Sequence, residues 1–333
     1  HALKLDPKTG LRDYTEKYEL KTDVSDPYFG IKVAGGNGVS GEAPYIINKD
    51  GYWYLFLSYG ALNASGGYNM RVFRSENLTG PYVDKAGNAA IYKGTQSSTS
   101  GNTVGNIGIR LMSGYKWSCN DKGYLAQGHN SALVDSDGKM YLVFHTRTDD
   151  GTEGHYVKTH QIFMSEDGWL CVAPYEYNGE TISSTGYAKS TLAGTYEYLV
   201  QNPAQKNGTC ATSTYITLGA DGSIGGLDAA GTWTVKDGTA YATFTIDGVV
   251  YKGVFAYGYD ESVNKNKVMT FTAVGANNVC IWGSKTVSAV KNAKDAQNAD
   301  AQAVSLPAAV TENFYLPTYG AYGSQITWTS KNE

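Results

Sequence analysis

The run Gly41-Glu42-Ala43-Pro44-Tyr45-Ile46-Ile47, continuing through Asn48-Lys49-Asp50-Gly51 into Tyr52-Trp53-Tyr54-Leu55-Phe56-Leu57-Ser58-Tyr59-Gly60, decides the fold. It reads as strand, tight turn, strand, because Asp-Gly between two apolar, β-rich runs is the strongest short-range hairpin signal. Glu42 stands at the mouth of the first strand, behind the small and flexible Gly35-Gly36-Asn37-Gly38-Val39-Ser40-Gly41.

The pattern recurs. His129-Asn130-Ser131-Ala132-Leu133-Val134-Asp135 leads through Ser136-Asp137-Gly138 into Lys139-Met140-Tyr141-Leu142-Val143-Phe144-His145-Thr146-Arg147. Superposing Gly51 on Gly138 places Asp50 on Asp137, Tyr54 on Tyr141, Leu55 on Leu142 and Glu42 on His129. Each hairpin is followed by a third strand ending in Ser-Glu, Asn69 to Glu76 and Tyr156 to Glu166. A sheet unit repeated at this scale predicts a β-propeller or another repeated β-architecture. In a propeller the first strand of each blade lines the central channel. Glu42 and His129 are therefore expected to face a common axis and form one candidate site.

Composition agrees with an all-β chain. The 333 residues favour two or three domains and allow a sizeable core. Net charge is -4 with no basic stripe, which argues against a nucleic-acid partner. No run approaches about 18 apolar residues, so no membrane span is expected. The 40 Gly and 27 Tyr, with 17% charged residues, suit an extracellular β protein. Most of the Tyr and Trp are read as strand formers and core, the remainder being available for sugar binding. The chain begins with His1 and shows no signal peptide, so it reads as a processed or trimmed product. Cys119, Cys171, Cys210 and Cys280 fit no zinc spacing. Cys210 and Cys280 fall in one region; a bridge and free buried thiols are both compatible with the sequence.

Along the chain, residues 1–40 read as the tail of an earlier unit, with a polar, Tyr-rich loop over Arg12 to Gly30. Residues 1–185 are assigned to the late part of a propeller, with a further strand over Ile107 to Tyr115. From Gly194 the texture changes to short strands broken by Asp221-Gly222, Asp237-Gly238 and Asp247-Gly248. Residues 190–286 are expected to form a small antiparallel barrel or sandwich, with strands over 195–200, 213–218, 232–236, 240–246, 249–257, 268–274 and 279–282. Residues 287–303 read as a linker, with a short helix as the second choice. Residues 304–333, with strand-like pieces at 311–316 and 325–329, read as the start of another β-domain.

Four residues carry the candidate chemistry. A carboxyl at position 42, in a partly closed and aromatic-lined channel, is suited to general-acid work. His129 is a candidate ligand for a metal or substrate. A lone imidazole is a weak metal signature, and calcium held mostly by water and oxygen is the ion considered. His145 and Arg147 share one face of their strand and are candidate substrate contacts, with an ion pair inside the sheet as the alternative for Arg147. Asp50, Asp137 and Asp167 are read as turn residues. No Ser-His-Asp arrangement, phosphate loop, dinucleotide fingerprint or Cys-x-x-Cys is visible.

Gly41-Glu42-Ala43-Pro44-Tyr45-Ile46, Gly128-His129-Asn130-Ser131, Phe144-His145-Thr146-Arg147 and Val172-Ala173-Pro174-Tyr175-Glu176-Tyr177 together resemble the endo-1,5-α-L-arabinanases of glycoside hydrolase family 43. The resemblance covers roughly residues 1–180 and implies a five-bladed propeller. Residues 190–285 resemble the small barrel that follows it in longer members, and 304–333 the opening of a bacterial immunoglobulin-like repeat. The resemblance further implies an inverting mechanism with Glu42 as general acid, an Asp general base on an early blade, and a second Asp that orients the acid. It implies a calcium bound by His129, arabinan as substrate, and a secreted or cell-surface location. Neither early-blade Asp has a match here, since Asp6-Pro7 and Asp26-Pro27 lack the strand context. The expectation is therefore a C-terminal piece, inactive alone, completed by an N-terminal propeller fragment of the same protein. An exo-acting arabinofuranosidase or xylosidase of the same family and a non-catalytic carbohydrate-binding β-protein are the alternatives.

Overall fold

Apolar and polar residues alternating between Asp-Gly turns yield an almost purely antiparallel β structure. The computed structural model describes residues 1–13, 25–26, 30–36, 41–92, 105–227, 231–262 and 265–286, together with 294, 297, 298, 300, 301, 304 and 326–330. A short ladder of β1 (Ser25–Asp26) with β2 (Gly30–Ile31) comes first. The first sheet is a four-stranded meander of β3 (Glu42–Lys49), β4 (Tyr52–Tyr59), β5 (Asn69–Ser75) and β6 (Ile109–Arg110). The second contains β7 (Tyr115–Lys116), β8 (Tyr124–Val134), β9 (Met140–Thr148), β10 (Tyr156–Met164) and β11 (Leu170–Val172), in the order β11-β10-β9-β8-β7. After a single helical turn, α1 (Lys189–Leu192), come β12 (Gly194–Gln201) and β13 (Ala211–Thr212). β13 pairs in parallel with β7 and so extends the second sheet. β12 then closes a barrel with β14 (Thr214–Leu218), β15 (Ser223–Gly225), β16 (Gly231–Val235), β17 (Tyr241–Ile246), β18 (Val249–Tyr259), β19 (Lys267–Gly275) and β20 (Cys280–Lys285).

The predicted first hairpin is present, and its turn has the expected chemistry. Asp50 and Gly51 both adopt positive φ, 50° and 85°, the left-handed pair that suits the twist of a two-residue hairpin. Strand β4 shows why its run is apolar throughout. Tyr54 and Phe56 point into the core shared with the second sheet, whereas Leu55, Leu57 and Tyr59 point into a second cluster with Val33, Phe73 and Tyr82. The described part of the N-terminal 40 residues covers that second cluster: Ala2 pairs with Ile31, and Gly35 pairs with Ile91. The two sheets are tied at the Asp167-Gly168 turn. Arg74 donates to the carbonyls of Asp167 (2.9 Å) and Gly168 (2.8 Å), and the Tyr54 hydroxyl donates to Gly168 (2.7 Å).

The barrel alternates in the same way. On β18, Phe255 points inward, while Val254 and Ala256 join the core of the blades. On β20, Ile281 points inward between outward-facing Cys280 and Trp282. The barrel thus offers the outside of its wall to the propeller sheets, and one apolar core runs across the boundary. Asn278 locks this boundary: its amide donates to Asp84 Oδ2 (2.8 Å) and the Asn106 carbonyl (2.8 Å) and accepts from Ala86 N (3.0 Å).

Some local readings change. The strand expected over 107–115 is split into β6 and β7, one in each sheet. β15 and β13 were not expected, because strands of three and two residues are too short to show alternation. All four cysteines are free, so Cys210 and Cys280 are not bridged. The linker at 287–303 and the β-domain start at 304–333 lie almost wholly outside the described residues. Positions 326–329, part of the strand expected at 325–329, carry no strand.

Candidate active site

The first strand of each sheet breaks its ladder near equivalent positions. In β3 the register shifts between Glu42 and Tyr45, with Ala43 at φ 45°. In β8 it shifts on both sides of Gly128, with His129 at φ 51°. Bulges of this kind re-aim side chains, and positive φ at a non-glycine residue concentrates at functional positions. Here they turn Glu42 and His129 outward, and Oε2 of Glu42 lies 4.0 Å from Nδ1 of His129.

Tyr68, immediately before β5, joins the two. Its hydroxyl donates to Glu42 Oε2 at 2.8 Å and lies 3.3 Å from His129 Nδ1. Burial, then the Glu42 hydrogen bond and its negative charge, push the Tyr68 hydroxyl well above its ordinary pKa, so it remains a donor at neutral pH. Gly128 is required beside it, because a Cβ there would overlap the Tyr68 ring. Ser58 fixes the bulge: its Oγ accepts from His129 N at 2.8 Å and donates to Asn130 Oδ1 at 3.4 Å. His145 stacks on Tyr68, with ring centroids 5.6 Å apart and planes 10° apart. Burial, followed by the positive charge carried by His155, His129 and Arg147, lowers its pKa to about 4, so it is a neutral support at neutral pH.

The repeat-based expectation therefore brings Glu42 and His129 together. His145 lies behind Tyr68, stacked on its ring. Arg147 is placed differently. Its Nε donates to the Leu62 carbonyl (2.7 Å), and its Nη1 bonds the Glu153 carbonyl and pairs with the Glu153 carboxylate (2.8 Å). With only 6% of its side chain exposed, Arg147 is a clamp between two loops, which matches the ion-pair alternative rather than the substrate contact. The enclosure expected around Glu42 also differs: Tyr68 supplies an aromatic wall, yet 61% of the Glu42 side chain is exposed. Among the described residues no group of three or more His, Cys, Asp or Glu is placed to hold a metal ion. His129 would supply one nitrogen, Nε2, since Nδ1 faces Tyr68.

Sequence reasoning missed Tyr68, Ser58 and His155. The signal was present in the repeat itself: superposing Gly51 on Gly138 also places Ser58 on His145 and Tyr68 on His155. Glu42, Ser58 and Tyr68 of the first unit meet His129 and His145 of the second, and His155 packs edge-on against His145 at 5.1 Å.

Two family models match the chain: glycosyl hydrolases family 43 over residues 12–170, and a C-terminal lipocalin-like domain over 174–283. The chain belongs to glycosyl hydrolase family 43. This family 43 chain is 38% identical, over 291 residues, to extracellular endo-α-(1→5)-L-arabinanase 2 of Bacillus subtilis, covering 85% of this chain and 58% of that protein. It is 35% identical to the extracellular endo-α-(1→5)-L-arabinanase of Thermotoga petrophila, again covering 85% and 58%. The family 43 YxiA protein of Bacillus licheniformis superposes with a TM-score of 0.75 at 36% identity, over 86% of this chain and 62% of that one. The Thermotoga petrophila endo-1,5-α-L-arabinanase structure gives 0.73 at 34% identity, over 85% and 61%. The chain therefore spans 58% of the length of each of the two relatives. Its lipocalin-like barrel is filled: Tyr196, Trp233, Phe244, Phe255 and Phe271 pack its interior.

Proposed function

We propose that this family 43 chain carries the general acid of an inverting endo-α-1,5-L-arabinanase, with Glu42 in that role. The observation that carries the reading is the Tyr68 hydroxyl donating to the Glu42 carboxyl beside His129, at the bulged mouths of two inner strands. The relatives named as endo-arabinanases support the substrate. Glu42 would protonate the leaving glycosidic oxygen. A second carboxylate, about 6.5–9.5 Å away, would activate water on the opposite face of the sugar. In this reading that base, and the Asp that orients the acid, belong to propeller blades outside these residues, whether joined covalently or associated as an N-terminal piece. His129 would be one ligand of a calcium ion whose remaining ligands are oxygens, lending electrostatic support near the axis. The relatives' extracellular naming supports a secreted location.

Intact-mass analysis of an active preparation on linear 1,5-arabinan tests the assembly. Activity is expected only where blades beyond these residues are present; full activity in this chain alone overturns the division of acid and base. Glu42→Gln is expected to lower kcat on arabinan by about 10²–10⁴-fold. Activity retained by that variant removes Glu42 from the acid role. Mixed oligosaccharide products mark endo action, and arabinose or arabinobiose alone marks the exo alternative.

A further inference from the structure

Where the second sheet meets the barrel, two adjoining cavities of about 440 and 270 Å³ share Tyr124, Lys158 and Glu176 as a common wall. The outer one passes Tyr156 and Thr148 to Asn120, and the inner one reaches Tyr259 of the barrel. Lys158 forms the floor. Its ammonium lies 4.0 Å over the Tyr124 ring and pairs with Glu261 (2.7 Å) and Glu176 (3.5 Å). One cation between two carboxylates gives this floor no pull on an anionic ligand.

One polar atom of a residue lining this trough, Asn120 Oδ1, is buried without a hydrogen-bond partner, whereas the Thr148 hydroxyl is engaged with Asp150. Asn120 is held with that oxygen free, because its Nδ2 donates to Glu261 at 2.8 Å. Asp150, near Thr148, is already engaged by Lys122 (2.7 Å) and Thr152. Buried polar atoms left over in a native structure call for a partner outside the chain. At the rim, Tyr156 is 47% exposed and Val157 71% exposed, while Glu176 keeps nearly half of its side chain in solvent.

We infer that this trough is a second saccharide-binding groove, separate from the Glu42 site, that takes a neutral, hydroxyl-rich oligosaccharide. Tyr156 and Val157 offer apolar surface to sugar C–H faces. Glu176 and Asn120 accept from hydroxyls. Tyr156 follows His155, whose ring packs on His145 behind Tyr68. A chain held here would be the same polymer presented to Glu42; that identity, though not the groove itself, rests on the arabinan reading.

The test is isothermal titration of the full chain carrying Glu42→Gln with arabinohexaose, xylohexaose and cellohexaose, repeated with Tyr156→Ala and with Glu176→Gln added. Both added substitutions are at half-exposed side chains, and the second is isosteric, so a matching thermal melt controls for folding. Arabinohexaose binding that weakens about tenfold in either variant supports the groove. Xylohexaose or cellohexaose binding with the same dependence supports the groove and counts against the arabinan reading. Unchanged affinity in both variants, or no binding of any hexaose, overturns the groove and leaves the Glu42 proposal to its own assay.

Discussion

The barrel and the two propeller sheets use the same period-2 alternation to opposite ends. The barrel closes on itself, leaves no open edge, and fills its interior with rings, Phe244 and Phe271 lying 4.6 Å apart. The sheets keep their edges, and their inner strands break register, once in β3 and twice in β8, at the places where Glu42 and His129 emerge. Regular pairing gives stability, and interrupted pairing gives chemistry. The barrel also stabilises the sheets from outside, because Leu199, Val254, Cys280 and Trp282 belong to the blades' core.

The largest test of this contrast lies in the barrel. Phe271→Ala is expected to destabilise the chain by about 3–5 kcal/mol, because a fully buried ring is replaced by a cavity. Urea unfolding measures it; a cost near zero would mean that the barrel core contributes little. Tyr68→Phe is expected to act the other way. It removes the donor to Glu42, lowering kcat of the assembled enzyme by about 10–100-fold while the melting temperature barely moves. Gly128→Ala is expected to reproduce that loss by pushing the Tyr68 ring aside. A Gly128 variant with full activity would separate the glycine from the site.

A smaller effect comes from pH. Burial lowers the pKa of both His145 and His160 to about 4 in the folded chain, against about 6.5 unfolded. Between those values the unfolded chain binds more protons, so stability is expected to fall as pH drops from about 6.5 to about 4. Thermal melts across that window check the sign, and His160→Gln is expected to flatten the slope. The smallest effect belongs to the exposed Lys236–Glu166 pair (2.7 Å), where Lys236→Ala is expected to carry at most a marginal stability cost. A larger cost would make this surface pair part of the domain boundary.

Much of the fold was legible because its signals are local. Asp50-Gly51 and Asp247-Gly248 both fold as left-handed turn pairs, and seven of the barrel's strands follow from β-rich runs, some of them separated by Asp-Gly. Glu42 and His129 were legible as partners because a repeated unit places equivalent residues alike around an axis. Arg147 was legible only as two alternatives, substrate contact or ion pair, for the converse reason. Strand alternation gives its face, but its partners are the Leu62 carbonyl and Glu153, in loops whose paths no period encodes.

By itself the sequence determined the hairpins, the repeated sheet, the barrel strands and the juxtaposition of one carboxyl with one imidazole, all consequences of near-neighbour patterning and turn stereochemistry. The tertiary structure alone decided that Tyr68 holds Glu42, that Arg147 is a clamp, and that Asn278 reaches Asp84 to bind barrel to blade. Those choices depend on which buried donors and acceptors, far apart along the chain, find each other once water is excluded, and burial without a partner is what makes each choice binding.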